Sequence, residues 1–381
     1  MRAKAIIHLD RFEENINSVK TRIGKNRHIC VPVKADAYGH GAAQIAKTAL
    51  KAGASCFGAA AVSEGLALRK GGIKTPILLF SQPDPDEIKE IIQADLTPFI
   101  SDADFADALN ECAKKAKKNV SVHLKIDTGM GRIGCKIKEA QELASHIKKS
   151  SCLNLTGTAT HLAVSDSINR SDIEYTKKQI SGFKRAVNAI RAAKINPGIV
   201  HAANSGAVIL HPSAWFDMVR PGILLYGYKS VEEYTAPLDQ LKKLSKFKKL
   251  TIAPVMELQS SVVLIKKIKK GESVSYGRTW IAEKDTLIGV LSVGYADGLP
   301  RLASNRWQVF IGGELYPLVG RISMDQCCVN LGKKAKVNRW DTAIIFGNPD
   351  HDASALAKIT GTIPYEITCN VNKRVPRVYK H

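Results

Sequence analysis

Between residues 29 and 220, short apolar runs alternate with amphipathic or alanine-rich stretches through eight repeats of the pattern. That alternation restricts the chain to very few folds. The runs fall at 29–33, 56–60, 76–80, 96–100, 120–126, 155–161, 199–202 and 217–220. Several are almost continuously apolar, as strands buried on both faces of a parallel sheet must be. Between them, Phe105, Leu109, Cys112 and Ala116 form one helical stripe, and Ile173, Thr176, Ile180, Phe183, Val187 and Ile190 form a longer one. The stretch 42–50 stops before Gly53, which reads as a left-handed cap. Ahead of the first run, Asp10 and Glu13 have capping-box spacing, and Phe12, Ile16, Val19 and Ile23 make the face to be buried. Eight such units predict an α/β protein built on a (β/α)8 barrel. A doubly wound open sheet is the alternative, but no G-x-G-x-x-G follows the first run.

After residue 238 the period changes. Long alternating segments occupy 251–268, 287–293, 307–319 and 343–346, with Gly312–Gly313 as a two-residue hairpin signal and one helical pattern at 354–359. The division expected is a barrel over 1–238 and a mainly β domain over 239–381, joined through 229–239; a length of 381 residues suits two domains. No apolar run approaches the roughly 20 residues needed to span a bilayer, and the first ten residues carry no signal-peptide pattern. A cytoplasmic protein with no membrane partner is expected. The eight cysteines are scattered without C-x-x-C pairs, so buried reduced thiols are expected and no metal site. The net charge of +21 is spread along the chain, densest at 242–249 (KKLSKFKK) and 266–270 (KKIKK). Neither run is a recognised nucleic-acid motif or forms an aromatic stacking platform, so a solvated face is expected rather than a nucleic-acid partner.

In a barrel of this kind, reactive groups gather at the carboxyl ends of the strands. The first run ends in Lys34 before Ala35–Gly41; the fifth leads through Lys125 and Asp127 to Arg132; the sixth ends at His161, the seventh at Asn204 and Ser205, the eighth at Arg220 and Gly222. An apolar strand thus delivers Lys34 to the barrel mouth among cations. A partly desolvated lysine beside other cations has a lowered pKa and forms Schiff bases. Glycines and hydroxyls at the seventh and eighth ends suit a phosphate. Together they point to pyridoxal 5′-phosphate, whose aldehyde needs a lysine and whose phosphate needs such a cradle.

Residues 33–41 (VKADAYGHG) closely resemble the cofactor-lysine signature of the alanine racemases. The resemblance continues over essentially the whole chain: HLKIDTGMGRIG at 123–134, Thr160-His161, HAANS at 201–205, MVRPGILLYG at 218–227, VSYG at 274–277, GYADG at 294–298, GRISMDQ at 320–326 and RVPR at 374–377. It implies an isomerase that interconverts L- and D-alanine by two-base proton transfer on pyridoxal phosphate, supplying D-alanine for peptidoglycan. Lys34 then holds the cofactor and handles one face, while Tyr276 is the base on the other and enters from the partner subunit of a homodimer. Arg132 bonds the Tyr276 phenol and the substrate carboxylate, helped by the Met324 backbone N–H. Tyr38, Ser205, Gly222, Ile223 and Tyr365 anchor the phosphate, with Asn204 also at the cofactor. Arg220 faces the pyridine nitrogen with His161 beside the ring. Lys125 matches a lysine often carbamylated in the family, and Tyr295 and Arg301 belong to the access channel.

Those roles are chemically coherent. Racemisation removes a proton from one face and returns one to the other, so two bases on opposite sides are needed. Lysine and tyrosine both have reference pKa values of about 10 and must be tuned downward. A guanidinium at the pyridine nitrogen leaves that nitrogen unprotonated, weakening the electron sink and disfavouring side reactions. The resemblance leaves room for a broader racemase of small amino acids such as serine, and for a fold-related pyridoxal-dependent decarboxylase, against which Arg220 argues. Asp36 departs from the asparagine common in the family and is expected behind the site; residues 368–373 (TCNVNK) are also atypical.

Overall fold

The computed structural model describes residues 2–229, 250–333, 336–348 and 350–381. Eight parallel strands make the barrel: His28–Pro32, Cys56–Ala59, Ile77–Leu79, Thr97–Ile100, Val120–Asp127, Leu153–Ala159, Ile199–His201 and Met218–Val219. Each pairs with the next, and the last returns to the first. All eight expected runs are strands, with somewhat different ends. The parallel ladder explains their apolar continuity: helices cover the outside and side chains fill the inside, so neither face meets water.

The helices are the expected ones. Arg170–Ala192 buries Thr176, Ile180, Phe183, Val187 and Ile190, and Ala103–Ala116 buries Phe105 and Leu109. Gly53 is left-handed at φ 81°, just past the C-cap Ala52 of Ala42–Lys51. The capping box at Asp10 does not form. Helix Leu9–Ile23 starts directly after strand Lys4–His8, so His8 takes the cap position and Asp10 lies inside the first turn. There its charge still opposes the positive end of the helix dipole.

Among the described residues the second sheet has eight strands. Met256–Ile268 is the longest and pairs with Thr286–Leu291 and Thr342–Phe346. Cys327–Gly332, Glu314–Val319 and Gln308–Ile311 complete a closed six-stranded ring, to which Lys4–His8 and Arg377–Lys380 are added at one edge. Gly312 and Gly313 have φ of 59° and 96° and make the tight hairpin between Gln308–Ile311 and Glu314–Val319. The helical pattern at 354–359 is Ala353–Thr360. Two findings depart from the sequence reading. Lys4–His8 belongs to this β sheet and not to the barrel's strands, and Arg377–Lys380 is a strand that periodicity did not disclose. Both are four or five residues long and gain their stability from neighbours far along the chain. The expected boundary at 238/239, most of the connection at 229–239 and the basic run at 242–249 lie outside the described residues.

Every cysteine is a free thiol, but burial is uneven: Cys30, Cys56, Cys135 and Cys327 are buried, while Cys369 is exposed. Cys327 points inward and its neighbour Cys328 is less covered, as alternation on a strand requires. No helix among the described residues is long and apolar enough to cross a membrane.

Candidate active site

The carboxyl ends of the barrel strands surround a cavity of about 250 Å³. Lys34, Tyr38, Lys125, Arg132, His161, Asn204, Ser205, Arg220, Gly222 and Tyr365 all line it, together with Phe80 and Phe99. Lys34 stands at the end of the first strand. Burial, reinforced by the Arg132 guanidinium, holds its amine below the ordinary lysine range. That is the condition for a nucleophilic amine near neutral pH.

Opposite the lysine, the cavity offers donors. Asn204 caps helix Ser205–Leu210, its Oδ1 accepting from the Ala207 N–H at 3.1 Å. The Ser205 hydroxyl accepts from the Leu224 N–H at 3.2 Å and is also bonded to Tyr365, whose phenol burial pushes up to about 12. Tyr38 is buried against Tyr226 and Tyr365, with ring centroids 4.8 and 5.6 Å away. A Cβ on Gly222 would stand 2.7 Å from the Tyr38 hydroxyl, so only glycine leaves this corner open. Ile223 is fully buried behind the corner and does not line the cavity.

Arg220 is buried and tightly bound. Its Nη1 bonds His201 Nδ1 at 2.6 Å, and its Nη2 donates to the Thr160 carbonyl at 2.7 Å and the Ala202 carbonyl at 3.2 Å. Burial pushes it down to about 10, so at neutral pH it remains a cation. A guanidinium donating into His201 Nδ1 leaves Nε2 of that ring to carry the proton, and Nε2 meets His123 Nδ1 at 2.9 Å. His161 lies 3.4 Å from Arg220 and is held well below the histidine range by burial and then by Lys125. Lys125 itself is fully enclosed, and burial followed by Arg220 holds its amine well below the lysine range.

The loop that carries Arg132 is shaped by Asp127. Its carboxylate accepts from the N–H groups of Gly129, Met130 and Gly131 at 2.8, 2.8 and 2.9 Å. Spacing along the chain gives no site role to Asp127, to the His123–His201 pair or to Glu64, whose carboxylate accepts from the Ala35 N–H beside Lys34 at 2.7 Å. His123 and His201 each open one of the segments that carry the family resemblance, which was the available signal; Glu64 sits on a helix with none.

Tyr276, Met324, Tyr295 and Arg301 are not in this cavity. They gather on the β domain, where Tyr276, Met324 and Tyr295 are 72%, 52% and 43% exposed. Tyr276 crowns a hairpin between Ser273–Val274 and Trp280–Ile281, and the Ser275 hydroxyl ties that hairpin to the Arg321 carbonyl at 2.6 Å. The Tyr295 and Ala296 N–H groups donate to the Ser323 and Met324 carbonyls, each at 3.1 Å. One chain therefore carries two separate sets of the expected residues.

The alanine racemase N-terminal domain family matches residues 7–230, and the C-terminal domain family matches 255–379. The chain belongs to the alanine racemase family. An alanine racemase of Treponema denticola is 51% identical over all of this chain and 98% of its own length. One from Treponema pallidum is 43% identical over 99% and 98%. Among solved structures, an alanine racemase of Clostridium difficile superposes with a TM-score of 0.91 at 33% identity, covering all of this chain and 96% of its own. Alanine racemases are pyridoxal-phosphate-dependent isomerases, and the cavity suits that cofactor: an amine for an aldehyde, a phenol, hydroxyl and open glycine corner for a phosphate, and a fixed guanidinium between.

Proposed function

We propose that this chain interconverts L- and D-alanine, with pyridoxal 5′-phosphate on Lys34 and with Tyr276 of a partner subunit closing the site. The observation that carries the reading is the amine of Lys34, partly desolvated in one cavity with Arg220, Tyr38, Ser205 and Tyr365. When bound, the cofactor supplies an electron sink that makes the substrate α-proton acidic. Lys34 removes or returns that proton on its own face. Tyr276 does so on the opposite face. Its exposure on a pinned hairpin favours delivery across a subunit interface, and supports a homodimer.

Arg132 holds the substrate carboxylate and bonds the Tyr276 phenol. The Met324 backbone N–H is a second carboxylate donor. Tyr38, Ser205, Gly222 and Tyr365 hold the phosphate, with Ile223 packed behind them, and Asn204 fixes Ser205 by capping its helix. Arg220, oriented by His201, would be the donor to the pyridine nitrogen, and His161 would stand beside the ring. Lys125, whose amine burial holds well below the ordinary lysine range, is suited to carbamylation, which orients Arg132. Tyr295 and Arg301 line the approach. The product fits a cytoplasmic role in supplying D-alanine to peptidoglycan.

The experiment is an absorbance scan of purified protein followed by an assay of D/L-alanine interconversion. Visible absorbance of a lysine-bound cofactor and racemisation in both directions are expected, with L-alanine ahead of L-serine in kcat/KM. Tyr276→Phe is expected to lower kcat by at least about 10²-fold and leave the visible spectrum intact. Loss of the spectrum, or carbon dioxide release in place of racemisation, contradicts the assignment.

A further inference from the structure

The residues after Lys34 adopt an unusual backbone. Ala35, Asp36, Ala37 and Tyr38 have φ of 50°, 52°, 56° and 53°, a complete left-handed turn without a single glycine. Left-handed helical geometry is unfavourable for every L-residue, because Cβ crowds the following carbonyl oxygen. A run of four persists only where its surroundings over-determine it.

The fastenings are visible. Within the turn, the N–H groups of Ala37, Gly39 and Gly41 donate to the carbonyls of Val33, Ala35 and Asp36 at 2.8, 2.9 and 2.9 Å. From the barrel side, the Glu64 carboxylate accepts from the N–H groups of Ala35 and Ala60, both at 2.7 Å. The buried His40 ring turns Nδ1 back onto the Ala37 and Tyr38 carbonyls at 3.0 and 2.9 Å. The remaining fastening comes from the far end of the chain. Arg377 Nε donates to the Gly39 carbonyl at 3.0 Å, while its Nη1 and Nη2 donate to the carbonyls of Asn372, Val375 and Val371 at 2.6, 2.7 and 2.6 Å. The Thr368 carbonyl fills the space a Cβ on Gly39 would need, and the Tyr379 hydroxyl does the same at Gly41. Arg377 does not line the cavity.

We propose that Arg377 is a positioning residue for Lys34: by locking the Gly39 carbonyl to the C-terminal segment, it holds the left-handed turn that aims the lysine amine into the cavity. This inference rests on the reading of Lys34 as the cofactor lysine. The guanidinium fork matters because it reaches four carbonyls at once. A single ammonium has no equivalent geometry. The C-terminal strand is then part of the catalytic apparatus without contacting substrate.

The test compares the parent with Arg377→Met and Arg377→Lys, as holoenzyme and after cofactor removal. Hydrogen exchange read by mass spectrometry over 33–42 is expected to accelerate at least about tenfold in Arg377→Met, with the barrel strands keeping parent protection. In the holoenzyme, kcat falls at least about tenfold while KM for alanine stays within about threefold, and Arg377→Lys lies between. Parent-like exchange in the turn overturns the proposal. Acceleration across every barrel strand also overturns it, since the arginine then serves the fold at large. The lysine assignment is checked separately, by borohydride reduction and peptide mapping of the parent holoenzyme. A cofactor tag absent from Lys34 removes that reading, and the exchange comparison without cofactor still decides whether Arg377 holds the turn.

Discussion

At the residue scale, environment decides which of the many titratable groups matter. Lys34 and Lys125 are two of 56 basic residues, and both are singled out by burial beside guanidinium groups. Asp36 acts locally, through an Oδ1 that accepts from the Ala42 N–H at 2.7 Å at the start of helix Ala42–Lys51. An asparagine amide oxygen can accept the same bond. Asp36→Asn is therefore expected to keep turnover within about threefold, whereas Asp36→Ala loses a helix-end acceptor and costs about 1 kcal/mol of stability. Steady-state kinetics and urea unfolding check the pair, and loss of nearly all turnover in Asp36→Asn contradicts the placement. The histidines make an acid-side prediction. Burial pushes His40 down to about 4 and His123 down to about 3. The unfolded chain takes up these protons below its reference value of about 6.5 and the folded chain does not, so stability is retained above that pH and drains away as pH falls toward the folded values. Each unit in that window removes about 1.4 kcal/mol per histidine. Urea midpoints at pH 7.5 and 5.5 should differ clearly; equal midpoints contradict the buried neutral rings.

At the scale of elements, close approach sets the tolerance of each turn and strand. Gly157 lies in the sixth barrel strand, where a Cβ would collide with the His123 ring. That ring is buried and bonded to His201, so it has nowhere to go. Gly157→Ala is expected to destabilise by about 1–3 kcal/mol through overpacking, and to disturb the His201–Arg220 bond as well. Gly312 is the opposite case: nothing lies near its Cβ position, and only its φ of 59° resists substitution. Gly312→Ala should cost about 1–2 kcal/mol and leave kcat untouched. Thermal melts with kinetics on both variants distinguish strain far from the site from strain that reaches it. The barrel strands were legible because unbroken apolar runs have one simple explanation. The short flanking strands Lys4–His8 and Arg377–Lys380 were not, because Lys4–His8 is specified by Met256–Ile268 and Arg377–Lys380 by Lys4–His8, partners hundreds of residues apart in sequence.

At the scale of the molecule, the proposed homodimer, in which the two sets of site residues meet across the subunit interface, can be tested by complementation. If Lys34 of one subunit works with Tyr276 of the other, mixing Lys34→Ala and Tyr276→Phe proteins under subunit exchange restores activity. In a two-fold dimer, half of the assemblies are hybrids and each holds one intact pair, so about a quarter of the parent rate is expected. Mixtures as inactive as their components contradict sharing. The sequence by itself determined the closed barrel, the β domain and Lys34 at the end of the first strand, because strand period and the chemistry at strand ends are local and repeat along the chain. Tertiary structure alone decided what surrounds that lysine. The left-handed turn, the carbonyls gathered by Arg377 and the chain of Arg220, His201 and His123 join segments remote in sequence, and no local pattern records which distant groups will stand within hydrogen-bonding reach.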